Sequence, residues 1–223
     1  MALGTPLSPV SLVDQAFGQI ADAIAVGDLK PGERIREAFL AREMGISRGV
    51  LREAMHRLEG RKLVVRTSNI GVHVATLSEQ DLYELLTLRE ALECLAARLA
   101  AIHMRADEVA TLRRLLDEHG DHADIQHGDG YFQRPVDDFH FRIARGSKNG
   151  RLISALCDDL YYQLRLYRYR SSVRPGRAQA ALAEHHAIVD AIAARDPDEA
   201  ERAMRAHLGQ SRALPTSSGA DGR

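Results

Sequence analysis

Several protein classes are excluded by what this 223-residue chain has little of. It has only two cysteines, Cys94 and Cys157, and both fall inside apolar helical patterns, which argues against a disulfide framework and for a reducing cytoplasm. No stretch approaches the ~18–20 uninterrupted apolar residues of a membrane span. The opening MALGTPLSPVSLVDQ lacks the basic and apolar regions of a signal peptide. No internal repeat is present. The formal net charge of -1 excludes a uniformly basic coat for nucleic acid. With 45% hydrophobic and 27% charged residues, what remains is the composition of an ordinary globular protein.

The charge is unevenly distributed. Residues 28–76 carry 10 Lys/Arg against 6 Asp/Glu, whereas residues 77–212 carry 19 against 22. A locally basic module is thus joined to a mildly acidic one. In the basic module, apolar spacing predicts helices over 11–26, 37–44 and 47–59, with Gly27 and Pro31-Gly32 ending the first. Gly45-Ile46 forms a turn and Ser47 caps the third helix. Two β-rich runs follow, 63–67 and 72–76, joined by the hairpin-forming Ser68-Asn69-Ile70-Gly71. From Ser78 onward the pattern is helical: 78–104, 106–126, 131–145, 149–170, 178–194 and 197–211, with short connections that favour an antiparallel bundle. The expected organisation is a tail over 1–8, a helix-turn-helix with a hairpin wing over 9–76, an all-helical domain over 77–212 and a disordered tail over 213–223. The fold class is mostly α.

The third helix places Val50, Leu51, Ala54 and Leu58 on one face, and Arg48, Arg52 and His56 at successive turns of another. Such a helix suits the major groove, where arginine binds guanine O6 and N7 bidentately or pairs with phosphate. Ser47 and the first-turn N–H groups can receive a phosphate. Arg66, Asn69 and Gly71 belong to the hairpin that would lie along the minor groove or backbone. A solvated arginine face is the plainer explanation of the helix alone. The preceding short helix, the turn and the hairpin favour DNA.

In the acidic module, three apolar helical stripes each contain one histidine: His140 beside Phe139 and Ile143, His185 beside Ile188 and Val189, and His207 beside Met204 and Leu208. Each alone fits a hydrogen-bonded core histidine. Three on three helices of one bundle can instead converge on a divalent ion such as Zn, Ni or Mn, leaving positions open for water or a carboxylate. His119, His122 and His127 lie in a polar, Gly/Asp-rich stretch and read as solvated.

Leu29, Pro31-Gly32, Leu40-Ala41, Gly45-Ile46-Ser47-Arg48, Leu51-Arg52-Glu53-Ala54 and Arg57-Leu58 resemble the winged helix-turn-helix of GntR-family bacterial transcription regulators. The resemblance implies DNA contacts from Ser47, Arg48, Gly49, Val50 and Arg52. Gly49-Val50 replaces the commoner Thr-Pro or Thr-Thr, and Lys62 stands where the family often has glycine. The segments around Phe139-His140, Glu184-His185 and Ala200 to His207-Leu208 resemble the FCD effector-binding domain of the FadR subfamily. In that domain an aspartate four residues before the first histidine completes a metal site. Here that position is Val136, with Asp137 one residue later as a substitute ligand. By the same resemblance Arg89 faces the effector pocket and pairs with a small organic acid; a surface ion pair with Glu93 explains it equally well.

The resulting expectation is a cytoplasmic, homodimeric, DNA-binding transcription regulator without a membrane partner. It would act on a pseudo-palindromic double-stranded operator and respond to a small carboxylate effector. Leu82, Leu85, Leu88 and Leu92 with Tyr161, Tyr162, Tyr167 and Tyr169 are candidates for the dimer interface. A metal sensor is the second reading. A three-histidine zinc hydrolase is disfavoured, because no motif places a glutamate as base.

Overall fold

The computed structural model describes residues 11–121, 138–164 and 176–212, and the chain divides into two compact units, Met1–Leu77 and Ser78–Arg223. The expected tails over 1–8 and 213–223, and the expected helical stretches over 122–126, 131–137 and 165–170, lie outside the described residues, as do Val136, Asp137, His122, His127, Tyr167 and Tyr169.

In the N-terminal unit, α1 (Leu12–Val26) starts at a capping box in which Ser11 and Asp14 satisfy each other's backbone N–H groups. It ends at Gly27, whose φ of 88° is the left-handed conformation that glycine adopts without steric cost. The short α2 (Glu37–Glu43) and α3 (Arg48–Gly60) follow. Between α1 and α2 lies a strand absent from the sequence reading, β1 (Arg34–Ile35). With β2 (Val64–Thr67) and β3 (Gly71–Val74) it forms an antiparallel sheet in the order β1-β3-β2. The register pairs Ile35 with Val72 and Val64 with Val74, so both strands turn buried side chains to one face. Ile20, Ile24, Leu51, Met55 and Leu58 complete this core.

The C-terminal unit is helical throughout its described residues. The 25-residue α4 (Glu79–His103) opens on the capping box Ser78/Asp81. It is followed by α5 (Ala106–Gly120), α6 (Phe139–Gly146), α7 (Gly150–Ser154), α8 (Arg177–Ala193) and α9 (Pro197–Arg212). The helix expected over 149–170 is not continuous. A π-helical segment, Ala155–Asp159, follows α7, and the Leu160 N–H bonds five residues back to the Ala155 carbonyl at 3.0 Å. α4 packs against α9, α6 and α8, and α8 packs against α5 and α9. A Cβ on Gly146 would come within 2.6 Å of Met104, so glycine is what lets the end of α6 seat against the end of α4. That seat fixes the helix bearing His140.

Candidate functional site

On the N-terminal unit, α3 buries Leu51, Ala54, Met55 and Leu58 and leaves Arg48, Arg52 and His56 exposed on successive turns. Ser47 caps the helix, its Oγ accepting the Val50 N–H at 3.2 Å, so the hydroxyl named as a DNA contact already orders the first turn. Gly49 is exposed and Val50 half-buried. In the wing, Asn69 at φ 65° and Gly71 at φ 110° form the turn, and both stay solvent-accessible.

The arginines of this unit sort into two groups. Arg57 is bound to Asp14 at 2.6 Å and Arg66 to Glu37 at 3.1 Å, while Arg42 lies 3.9 Å from Glu43. Arg34, Arg36, Arg48 and Arg52 are exposed and have no ion pair among the described residues. All four line one open groove between β1, the start of α2, α3 and the wing residue Gly71. Arg34 and Arg36 escaped sequence reasoning because the two-residue β1 that presents them is too short to show a strand's alternation. Conversely, the wing arginine singled out from the sequence, Arg66, is held by Glu37.

In the C-terminal unit α6, α8 and α9 bring His140, His185 and His207 together, each buried, with one ligand atom per residue lying within 4.8 Å of the others. Their neighbours explain how the rings are set. His207 Nδ1 is 2.6 Å from Glu184 Oε2, which also accepts from Arg177 Nη2 at 2.8 Å. His140 Nδ1 is 2.6 Å from Glu93 Oε2, with that carboxylate off the line of a straight hydrogen bond. The other oxygen of Glu93 accepts from Arg89 Nε at 2.9 Å. His185 stacks on Phe139, centroid to centroid 3.9 Å at 18°, and its Nε2 lies 3.4 Å from His207 Nε2.

These environments keep the imidazoles of His185 and His207 neutral. Burial, then the nearby His207 and His140, holds His185 well below its ordinary value. Burial lowers His207 to about 4, against the opposing pull of Glu184. Burial alone would raise the Glu184 carboxyl, but its bonds from His207 and Arg177 outweigh that and leave it lowered. Neutral rings offer lone pairs, which is what a metal ligand must do. A tetrahedral ion with metal–nitrogen bonds of about 2.0–2.1 Å sets neighbouring ligand nitrogens roughly 3.4 Å apart. The His185–His207 spacing meets that requirement, and with a His140 nitrogen within 4.8 Å of both the three could hold a divalent ion.

The remaining assignments need adjustment. Asp138, adjacent to the proposed substitute ligand Asp137, is the N-cap of α6, its Oδ1 accepting from the N–H groups of His140 and Phe141. Arg89 does pair with Glu93, but the pair is buried rather than on the surface, with 3% and 2% of the side chains exposed. His119, expected in solvent, is buried at the end of α5 because it falls on the face already formed by Leu112, Leu115 and Leu116. Glu93, Arg177 and Glu184 were missed as site residues. Glu184 precedes His185 in sequence, yet its carboxylate serves His207 on another helix, and no local spacing encodes that.

A winged helix-turn-helix with an arginine-lined groove, coupled in one chain to a helical domain with a buried polar centre, defines a DNA-binding regulator with a ligand domain. Comparison with known proteins agrees. Residues 12–74 match the bacterial regulatory proteins of the gntR family, and residues 84–210 match the FCD domain. The chain is 31% identical to the probable D-xylose utilization operon transcriptional repressor of Paenarthrobacter nicotinovorans, over 91% of its own length and 88% of that protein. It is also 31% identical to the Nta operon transcriptional regulator of Aminobacter aminovorans, over 80% of its own length and 82% of that protein. Escherichia coli McbR/YncC shares the fold, with a TM-score of 0.73 over 90% of this chain and 95% of that one at 21% identity. A GntR structure from Rhodococcus sp. RHA1 gives 0.71 at 25% identity, over 91% and 96% of the two chains. The chain belongs to the GntR family of bacterial transcription regulators and carries an FCD effector-binding domain.

Proposed function

We propose that this regulator binds a pseudo-palindromic operator as a homodimer, and that a small carboxylate, received at the three-histidine centre, changes its affinity for DNA. The observation that carries the DNA reading is the convergence of Arg34, Arg36, Arg48 and Arg52, without an ion pair among the described residues, on one groove beside α3. Arg48 and Arg52, with His56, lie where base edges are read, and Ser47, Gly49 and Val50 lie where the helix start meets phosphate. Asn69 and Gly71 at the wing tip follow the backbone, while Arg66 behind them is held by Glu37.

The dimer reading rests on α4. Leu88, Leu95 and Ile102 are exposed and seven residues apart, with half-buried Leu92 and Leu99 between them, the four-three spacing of a helix–helix seam. The expected interface is modified accordingly: Leu85 and Tyr161 are buried within the chain's own core. Leu95→Glu is expected to convert a dimer to a monomer in analytical ultracentrifugation; an unchanged mass assigns the seam elsewhere.

For the effector, His140, His185 and His207 would hold the ion through three nitrogens, and an ion so bound offers open positions to a carboxylate. Arg89, the expected effector contact, is engaged by Glu93, which in turn stands beside His140. Selecting bound duplexes from a random library and titrating the winner by fluorescence anisotropy, with and without a panel of small carboxylic acids, tests the whole reading. The expected result is one enriched, two-fold-symmetric sequence whose affinity shifts with one acid. Absence of any enriched sequence removes the operator reading, and an affinity that follows added zinc but no acid converts the protein to a metal sensor.

A further inference from the structure

Two Arg–Glu–His series run into the centre. Arg89 and Glu93 of α4 reach His140 of α6, and Arg177 and Glu184 of α8 reach His207 of α9. In each a carboxylate oxygen lies 2.6 Å from Nδ1 of the imidazole, as a hydrogen bond at His207 and off that line at His140. The carboxylate also accepts from an arginine at 2.8–2.9 Å, and Arg177 Nη2 lies 3.4 Å from His207 Nδ1 as well. Which ring nitrogen carries the proton of a neutral histidine is decided by the partner of the other nitrogen. A carboxylate can only accept, so a neutral ring beside it keeps its proton on Nδ1 and leaves Nε2 as a bare lone pair. The 3.4 Å approach of His207 Nε2 to His185 Nε2 shows that this bare edge is the one turned inward.

We infer that Glu184 and Glu93 are positioning residues for the ion: they fix the tautomer and rotation of His207 and His140 so that both present Nε2 to the shared centre. The inference rests on the metal reading of the three histidines and adds two residues to it. His185 needs no such carboxylate, because its ring is set by stacking on Phe139. The arginines have a defined part as well. Each neutralises a carboxylate that would otherwise be costly to hold in a largely dehydrated bundle, and fixes where its oxygens lie.

The test has two readouts on the full chain. Long-range proton–nitrogen NMR of chelator-stripped wild-type protein at neutral pH is expected to show His207 and His140 protonated on Nδ1; either ring protonated on Nε2 overturns its half of the inference without any variant. Zinc affinity, measured by competition with a chromophoric chelator, is expected to fall about 10–100-fold in Glu184→Ala and in Glu93→Ala. Glu184→Gln, whose amide oxygen can still accept from Nδ1, is expected to fall less than Glu184→Ala. His185→Ala serves as the reference. If it binds zinc as tightly as the wild type, the metal reading itself is wrong. If it loses zinc while folded Glu184→Ala and Glu93→Ala retain wild-type affinity, the centre is a metal site and the positioning role is overturned.

Discussion

The two units treat charge in opposite ways. In the N-terminal unit Arg34, Arg36, Arg48 and Arg52 lie in solvent with no ion pair among the described residues, whereas in the C-terminal unit Arg89 and Glu93 are almost fully buried and bound to each other. The contrast follows from what each must meet. A surface that meets a polyanion keeps its positive charge unneutralised until phosphate arrives and displaces counterions. A centre that holds an ion or a small acid must be dry, and buried charge persists there only when every group has a partner.

The largest effect that could break this contrast is on stability. Glu93→Ala leaves the Arg89 guanidinium buried beside an empty space, and it is expected to lower the stability of the C-terminal unit by about 3–5 kcal/mol. Arg57→Ala breaks an ion pair of similar length, 2.6 Å to Asp14, but with roughly half of both side chains in water; it is expected to cost less than about 1 kcal/mol. Urea unfolding followed by circular dichroism measures both. Equal losses would mean that burial makes no difference to these pairs.

Next in size are the reading arginines. Arg48→Ala and Arg52→Ala are each expected to weaken operator binding by about 1–3 kcal/mol and to relax base preference at one position, with unfolding unchanged. Arg34→Ala and Arg36→Ala sharpen the distinction between reading and holding. They are expected to weaken operator and random duplex alike, and each to reduce the salt dependence of binding by about one released counterion. A specificity change in the Arg34 or Arg36 variants would move β1 into the base-reading surface. Arg66→Ala is expected to change little, since Glu37 already holds that side chain.

The sequence reveals what is periodic or local. The apolar spacing of α1, α4 and α9 and the helix–turn–helix motif around Ser47 are written in residues a few positions apart. The three histidines were also legible, since each interrupts an apolar stripe. What was not legible depends on other elements. β1 exists because β3 offers it an edge, and two residues carry no pattern of their own. Arg89 and Glu93 show an i,i+4 pair in any helix, but only the packing of α4 against α6 and α9 makes the pair buried and aims Glu93 at His140. Arg66 reads as a free wing arginine until α2 is seen to place Glu37 beside it.

The smallest effect concerns helix ends and again separates the units. α3 closes with Lys62 N–H bonded to the Glu59 carbonyl at 2.9 Å and Leu63 N–H to the Leu58 carbonyl at 3.0 Å, so Lys62 must take the left-handed conformation, φ 57°. α8 closes the same way: Arg195 N–H bonds to Ile192, Asp196 N–H to Ala191, and Arg195 has φ 60°. A side chain in that conformation costs about 1–2 kcal/mol, part of which glycine returns as unfolded-state entropy. The exposed Lys62 side chain makes no ion pair among the described residues, so Lys62→Gly is expected to stabilise the N-terminal unit by about 0.5–1 kcal/mol. Arg195 instead donates from Nη1 to the Ala101 carbonyl at 3.1 Å, tying the end of α8 to α4. Arg195→Gly removes that bond along with the strain and is expected to bring no gain. Differential scanning calorimetry of the two variants decides it, because equal shifts would mean that the Arg195 bond contributes nothing to holding the bundle end in place.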